Sequence, residues 1–240
     1  MIRDYEKAAK LRVNWIKEIL EESGAKGIVF ASSGGKDAVL TGILCKMACE
    51  NTLGVILPCE SKRNFTEDKD DALLFAEHFD IEHIIIDITK TKAELVNAIG
   101  DKAGKIDNVN IAPRLRMTTV YAIANGRGAL VAGTGNRSET YMGYFTKWGD
   151  GAYDFNPIAD LTVTEICEFL QHLGAPEVFW TKAPSAGLYE GQTDELEMGV
   201  SYAEIDKYLL EGEKGPNFHI IERYHKASEH KRLPVKKYGM

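Results

Sequence analysis

The chain has 240 residues, 44% of them hydrophobic and 27% charged, a length that fills one large core and leaves little for a second. Its 29 basic and 36 acidic residues give a net charge of −7, which argues against a general nucleic-acid surface but not against a local positive pocket for a small phosphorylated ligand. No apolar run approaches the ~20 residues that span a bilayer, so no membrane role is expected.

In chain order, Tyr5, Ala8, Val13, Ile16 and Ile19 or Leu20 recur at helical spacing, and the N-terminus is read as an amphipathic helix rather than a signal peptide. Lys26 to Ala31 is a short apolar strand, followed by helical spacing from Asp37 to Glu50. Leu53 to Pro58 is a second strand, Glu67 to Phe79 a helix and His83 to Asp87 a third strand. Helices over Thr89 to Ile99 and Leu115 to Asn125 precede a fourth strand, Ala129 to Gly133. Alternating strands and helices with continuous apolar strands predict an α/β fold, doubly wound, its mostly parallel sheet covered by helices on both faces.

Beyond Gly133 the pattern changes. Thr146 to Asp160 and Lys182 to Thr193 lack periodicity, while helices are predicted over Thr162 to Leu173, Tyr202 to Leu210 and Phe218 to Ser228. Irregular stretches of this length in a compact domain are functional or mobile. The second is expected to be a loop that orders over bound nucleotide. No repeat or low-complexity linker divides residues 1–240, which are read as a single domain. Cys45, Cys49, Cys59 and Cys167 lack partners at zinc-ligand spacing and are read as thiols in a reducing cytoplasm.

The most informative local feature is the run Ala31, Ser32, Ser33, Gly34, Gly35, Lys36, Asp37, Ala38 between the first strand and a helix. Glycines let backbone amides approach a ligand, and the start of a helix offers unpaired N–H groups that suit a phosphate. The Walker A pattern fails, because Phe30 stands at its first Gly and Asp37 at its Ser or Thr. The dinucleotide pattern fails too, with Gly34 and Gly35 alone present.

The run resembles the S-G-G-x-D-S loop of pyrophosphatase-type ATP enzymes, which cleave ATP between the α- and β-phosphates. Further blocks follow: NIAPRLRM from Asn110, GTGNRSE from Gly133, GYFTKWGDG from Gly143, NPIADL from Asn156, KAPSAGL from Lys182 and EHKRLP near the end. In this order and spacing they resemble the ammonia-dependent NAD synthetases over nearly the whole chain. The resemblance implies the adenine nucleotide alpha-hydrolase-like fold. It also implies amidation of deamido-NAD by ammonia through an acyl-adenylate, giving NAD, AMP and pyrophosphate.

The same resemblance assigns residues. Asp37 and Glu139 match Mg²⁺ ligands. The loop from Ala31 to Ala38, with Thr134, Val163 and Ser185, matches the ATP site. Arg114, Lys147, Asp154, His230 and Lys231 match deamido-NAD contacts, Lys147 together with Asp150 lying at the reaction centre. Asp150 either orients ammonia or takes a proton from ammonium, or it simply forms a turn before Gly151. Two positions depart from the family: Ala38 replaces the loop's final Ser, and Val163 stands where many relatives carry Lys. Lys36 or Lys182 is available to replace that cation, and Lys36 alternatively faces solvent. A homodimer is implied, and 240 residues leave no room for a glutaminase domain, so free or partner-delivered ammonia is the expected nitrogen source.

The competing readings are another enzyme of the pyrophosphatase type, such as a tRNA thiolase or a GMP synthetase, and a catalytically dead nucleotide-binding protein. The acidic charge and the helical placement of Cys45 and Cys49 oppose a thiolase. Retention of Asp37, Glu139, Lys147 and the KAPSAGL block opposes a dead binder.

Overall fold

The computed structural model describes residues 3–103, 109–182 and 193–239. Helix α1 (Tyr5–Ser23) starts where Asp4 accepts the Lys7 N–H and stops at Gly24 in the left-handed region. The predicted stripe of Tyr5, Ala8, Val13 and Ile16 is buried. Strand β1 (Ile28–Ala31) leads into α2 (Lys36–Ala48), then β2 (Thr52–Ile56), α3 (Lys62–Phe65), α4 (Glu67–His78) and β3 (Glu82–Ile85). Helices α5 (Thr89–Ile99) and α6 (Ile111–Arg127) precede β4 (Leu130–Ala132).

The four strands form a parallel sheet in the order β3-β2-β1-β4, with Ile28 paired to Thr52 on one side and Leu130 on the other. Winding runs outward from β1 to β3, then resumes at β4 on the opposite side of β1. The switch point therefore lies between β1 and β4, and ligands of open α/β sheets sit there, beyond the carboxyl ends of the strands.

Neighbouring side chains of a strand point to opposite faces. Phe30 enters a core with Ile16, Leu40, Leu44, Phe75 and Phe169, whereas Val29 enters one with Val55, Val120, Ala124 and Val131. Both faces are thus covered, as the apolar strands predict. Helix α2 is buried from Ala38 to Cys45 without a break, which makes it the central helix of the first core.

Two elements differ from expectation. Strand β3 is at the sheet edge and mostly exposed, and its Glu82 pairs with Arg127 at 2.8 Å instead of entering a core. Helix α6 begins at Ile111, four residues before Leu115, because Pro113 falls within its first turn, where a missing N–H costs nothing.

After β4 come α7 (Arg137–Met142), α8 (Val163–His172), α9 (Val178–Thr181) and α10 (Asp194–Met198). Helices α11 (Tyr202–Glu211), α12 (Phe218–Ala227) and α13 (Glu229–Arg232) complete the chain. Met142, Val163, Met198, Tyr202, Ile205 and Ile221 form a third apolar cluster among them. The irregular stretch before α8 runs along β4, where Phe155 bridges to Ala132 in parallel and the Asp154 N–H donates to the Val131 carbonyl at 2.9 Å.

Candidate active site

At the switch point a cavity of about 700 Å³ opens between the ends of β1 and β4. Its floor is the loop after β1. Gly34 has φ 75°, and a Cβ there would stand 2.5 Å from the Asp68 carbonyl oxygen, so the turn admits no side chain. Ser33 Oγ accepts the Gly35 N–H at 3.3 Å, and Gly35 is the N-cap of α2, with no side-chain cap bond. The first N–H groups of α2 are therefore available to an anion, favoured also by the helix dipole. Ala31, Ser32, Ser33, Gly35, Lys36, Asp37 and Ala38 line this end, joined by Thr134 from beyond β4. Ser32, the alternative hydroxyl to the one missing at Ala38, lines the same cavity.

Asp37 and Glu139 come together although they belong to different halves of the chain. Asn136, fully buried, connects them: its Nδ2 donates to Asp37 Oδ1 at 2.9 Å, and its Oδ1 accepts the Glu139 N–H at 2.8 Å. Glu139 Oε2 in turn accepts the Asn136 N–H at 3.1 Å, completing a capping box at the start of α7. Burial, and then the charge of Asp37, push the Glu139 carboxyl well above the ordinary glutamate range. Two neighbouring carboxylates with hard oxygen donors, facing a phosphate loop, fit Mg²⁺. Among the described residues no group of three His, Cys, Asp or Glu side chains gathers for a metal. Mg²⁺ commonly takes just one or two protein carboxylates and completes its shell with phosphates and water.

The cavity is lined further by Arg116, Thr146, Asp150 and Lys231. Asp150 accepts the Thr146 N–H at 3.0 Å; burial raises its carboxyl, against the pull of that bond and of Lys231. Lys231 Nζ donates to the carbonyls of Gly143 and Phe145, both at 2.7 Å, and burial lowers its pKa. Asp150 lines the cavity at a position that is itself exposed, within the turn that its bond to the Thr146 N–H closes.

Arg116 was not among the sequence candidates. Its Nε donates to the Leu57 carbonyl at 3.1 Å and its Nη2 to Asn64 Oδ1 at 3.1 Å. It makes no ion pair with a carboxylate among the described residues. Its signal lay in the helical row Ala112, Arg116, Val120, Ala124, where the other three members are buried. An arginine in an apolar row at four-residue spacing must face something that needs a cation.

Arg114, Lys147, Asp154, Val163 and His230 lie outside the cavity lining, whereas Lys36 and Lys182 belong to it. Arg114 reaches the Lys147 carbonyl from Nη2 at 3.3 Å, and Lys147 Nζ donates to the His230 carbonyl at 2.7 Å. Arg114, Lys147 and His230 therefore form a connected ledge beside exposed Trp148. Asp154 accepts the Val131 N–H at 2.7 Å and the Tyr121 hydroxyl at 3.1 Å, next to β4. Val163 opens α8, its N–H donating to Ser138 Oγ at 3.3 Å, and its side chain joins the apolar cluster. Lys182 Nζ is held by Asp68 at 3.0 Å and Asp71 at 2.5 Å, whereas Lys36 is buried at the loop rather than facing solvent. Ser185 and the loop expected to order over nucleotide lie outside the described residues, apart from Lys182 and Thr193.

The NAD synthase family model matches residues 8–237. An NH(3)-dependent NAD(+) synthetase of Carboxydothermus hydrogenoformans is 47% identical over 95% of this chain and 96% of its own. A solved NMN synthetase from Francisella tularensis superposes with a TM-score of 0.92 at 34% identity, covering 99% of this chain and 100% of that one. The NH3-dependent NAD synthetase from Campylobacter jejuni gives a TM-score of 0.79 at 27% identity, over 98% and 99%. The loop at the switch point, the paired carboxylates and the span of these matches agree, and the chain belongs to the NAD synthase family.

Proposed function

We propose that residues 1–240 act as one domain that amidates deamido-NAD with ammonia at the expense of ATP. The observation that carries this is the single cavity joining the phosphate loop to Arg116, Asp150 and Lys231. An ATP whose β- and γ-phosphates rest on the α2 N-terminus presents its α-phosphate toward those residues. The nicotinate carboxylate oxygen bonds to the α-phosphorus, the α–β bridging bond breaks, and pyrophosphate departs with the electron pair. Ammonia then bonds to the acyl carbon, AMP leaves, and one proton passes from nitrogen to a base, for which Asp150 is placed. Ser32, Ser33, Lys36 and Thr134 hold the phosphates; Arg116 and Lys231 offset the negative charge that two anionic substrates bring together. Asp37 and Glu139 would hold Mg²⁺, which supplies charge neutralisation for the leaving pyrophosphate.

The ledge of Arg114, Lys147 and His230 is assigned to the part of the dinucleotide that extends beyond the cavity, together with Asp154. Trp148 at 55% and Tyr153 at 39% exposure beside it favour a homodimer. A cytoplasmic location, where four cysteines remain thiols, belongs to the same reading.

The test is one incubation with ATP, Mg²⁺, deamido-NAD and ammonium. NAD, AMP and pyrophosphate in equal amounts are expected; stoichiometric ADP and phosphate overturn the reading. The likeness to the Francisella NMN synthetase favours nicotinate mononucleotide as a second substrate. Parallel kcat/KM measurements on both pyridine substrates decide which one the chain prefers.

A further inference from the structure

Both protein partners of the Arg116 guanidinium are neutral. The Leu57 carbonyl accepts its Nε–H at 3.1 Å, and Asn64 Oδ1 accepts from Nη2 at 3.1 Å. A guanidinium carries five N–H donors and keeps its proton at any physiological pH. These bonds use two donors, so three remain without a partner among the described residues, on a side chain that lines the cavity. Asp68 and Asp150 act on Arg116 through space, without an ion pair.

Asp68 is close, yet Asn64 stands between. Asn64 Nδ2 donates to Asp68 Oδ2 at 2.9 Å. Asp68 Oδ1 has cations of its own, accepting Arg63 Nε at 3.2 Å and Lys182 Nζ at 3.0 Å, and Lys182 Nζ also donates to Asp71 at 2.5 Å. The row therefore reads guanidinium, amide, carboxylate, ammonium. It adjoins the phosphate loop, because the Asp68 carbonyl oxygen is the atom that a Gly34 Cβ would strike at 2.5 Å.

The chemistry of the two neighbours dictates the residue at position 64. Asn64 is 8% exposed, between a group that only donates and a group that only accepts. Its amide is fixed in one orientation, oxygen to Arg116 and nitrogen to Asp68. An aspartate here would pair with Arg116 and set a second carboxylate against Asp68. A leucine would fill the space but leave a guanidinium donor and a carboxylate oxygen without their bonds. Asparagine satisfies both neighbours and adds no charge.

We propose that Asn64 is a positioning residue for Arg116. It orients the guanidinium through a neutral contact and separates it from Asp68, so the cavity keeps a cation for an anionic oxygen of substrate, phosphate or carboxylate. The inference rests on the reading that Arg116 meets substrate.

The probes are ATP with Mg²⁺ and deamido-NAD, each titrated calorimetrically into the full chain. Asn64→Asp sets a carboxylate against Arg116. A unit negative charge that close weakens binding of an anion by at least about tenfold, even at the high effective dielectric of a protein site. The loss is expected for the substrate whose oxygen Arg116 holds: ATP if it is a triphosphate oxygen, deamido-NAD if it belongs to the dinucleotide. Asn64→Leu, which leaves the arginine charged but unanchored, is expected to lose less. Asn64→Asp combined with Asp68→Asn restores one amide and one carboxylate in reversed order. This pair keeps the net charge, is expected to weaken binding as Asn64→Asp does, and serves in its place should two adjacent carboxylates unfold the single variant. With Arg116→Met already present, none of these changes should shift affinity further, a result that a purely structural Asn64 would not give. Wild-type affinity in Asn64→Asp and in the reversed pair, while Arg116→Met binds weakly, overturns the positioning role and leaves Arg116 on substrate. A loss of the same size with Arg116→Met in place overturns it too. Binding of both substrates by Arg116→Met as by wild type overturns the assignment of Arg116, and the inference with it.

Discussion

Asn136 donates its side-chain amide to Asp37 Oδ1 at 2.9 Å across 99 residues of sequence, tying the helix after β4 to the helix after β1. The same side chain caps α7 through the Glu139 N–H. One amide therefore sets the separation of the two carboxylates assigned to the metal. Asn136→Ala removes a cap and a hydrogen bond to a charged group, an expected loss of about 2–3 kcal/mol, read by chemical denaturation. The Mg²⁺ concentration for half-maximal turnover should rise as well. A destabilised variant with an unchanged Mg²⁺ requirement would confine Asn136 to a structural role.

Glu139 makes the stability of the metal-free protein depend on pH. Its folded pKa is raised, so between the ordinary glutamate value and that raised value the native state holds a proton that the unfolded state has released. Stability therefore falls as pH rises through this window, and the full penalty remains above it. Glu139→Gln keeps an acceptor for the Asn136 N–H and removes the charge. Without metal it should melt higher than wild type at neutral pH, with a flatter dependence on pH. In the presence of Mg²⁺ the ranking should reverse, because only wild type gains a ligand-bound state. Thermal melts of both proteins from pH 5 to 8, with and without Mg²⁺, check the sign.

The sheet and the glycine turn between β1 and α2 were legible because their causes are local. Apolar runs such as Ile28 to Ala31 specify buried strands, and Gly34 and Gly35 specify a tight turn into the next helix. Strand β3 misled because HIIID is apolar in composition, yet a strand at the edge has no neighbour beyond it to bury its side chains. The short helix α7 was missed, although Asn136 and Glu139 are spaced as a capping box. Asp194 and Lys36 share a pocket through tertiary packing alone, and no spacing in the sequence brings residues of α2 and α10 together. The Arg114–Lys147–His230 ledge likewise joins three distant segments through backbone carbonyls, which sequence patterns do not address.

The two arginines of α6 should differ in effect. Arg116 lines the cavity in the buried row, while Arg114 reaches the ledge. Arg116→Met deletes a cation from a site that must hold two anions. The expected loss in kcat/KM is on the order of 100-fold, appearing in kcat as well as KM, because charge builds up there in the transition state. Arg114→Met should instead raise KM for deamido-NAD while leaving kcat near wild type. Steady-state kinetics with each substrate varied in turn separate the two. Equal effects would mean that the cavity wall and the ledge act on the same part of the substrate.

Asp150 provides the sharpest test of the second half-reaction. Its carboxyl lies in the cavity wall, raised by burial and steadied by the Thr146 N–H. Near neutral pH most dissolved ammonia is ammonium, which cannot attack an acyl carbon until it gives up a proton. A carboxylate in the cavity wall serves this need in two ways: it attracts the cation, and its raised pKa makes it a better proton acceptor than an ordinary aspartate. Asp150→Asn keeps the size and the Thr146 bond but can do neither. Turnover with ammonium should fall by about 100-fold or more, and the loss should be largest at the acidic end of the pH profile. Hydroxylamine, an amine already neutral at the assay pH, should be affected far less, since it needs no deprotonation before attack. Adenylate formation, followed by pyrophosphate release in a single turnover without ammonium, should persist in the variant. If hydroxylamine and ammonium lose the same factor, Asp150 shapes the cavity without handling the proton. If pyrophosphate release is lost too, the residue belongs to the first half-reaction instead.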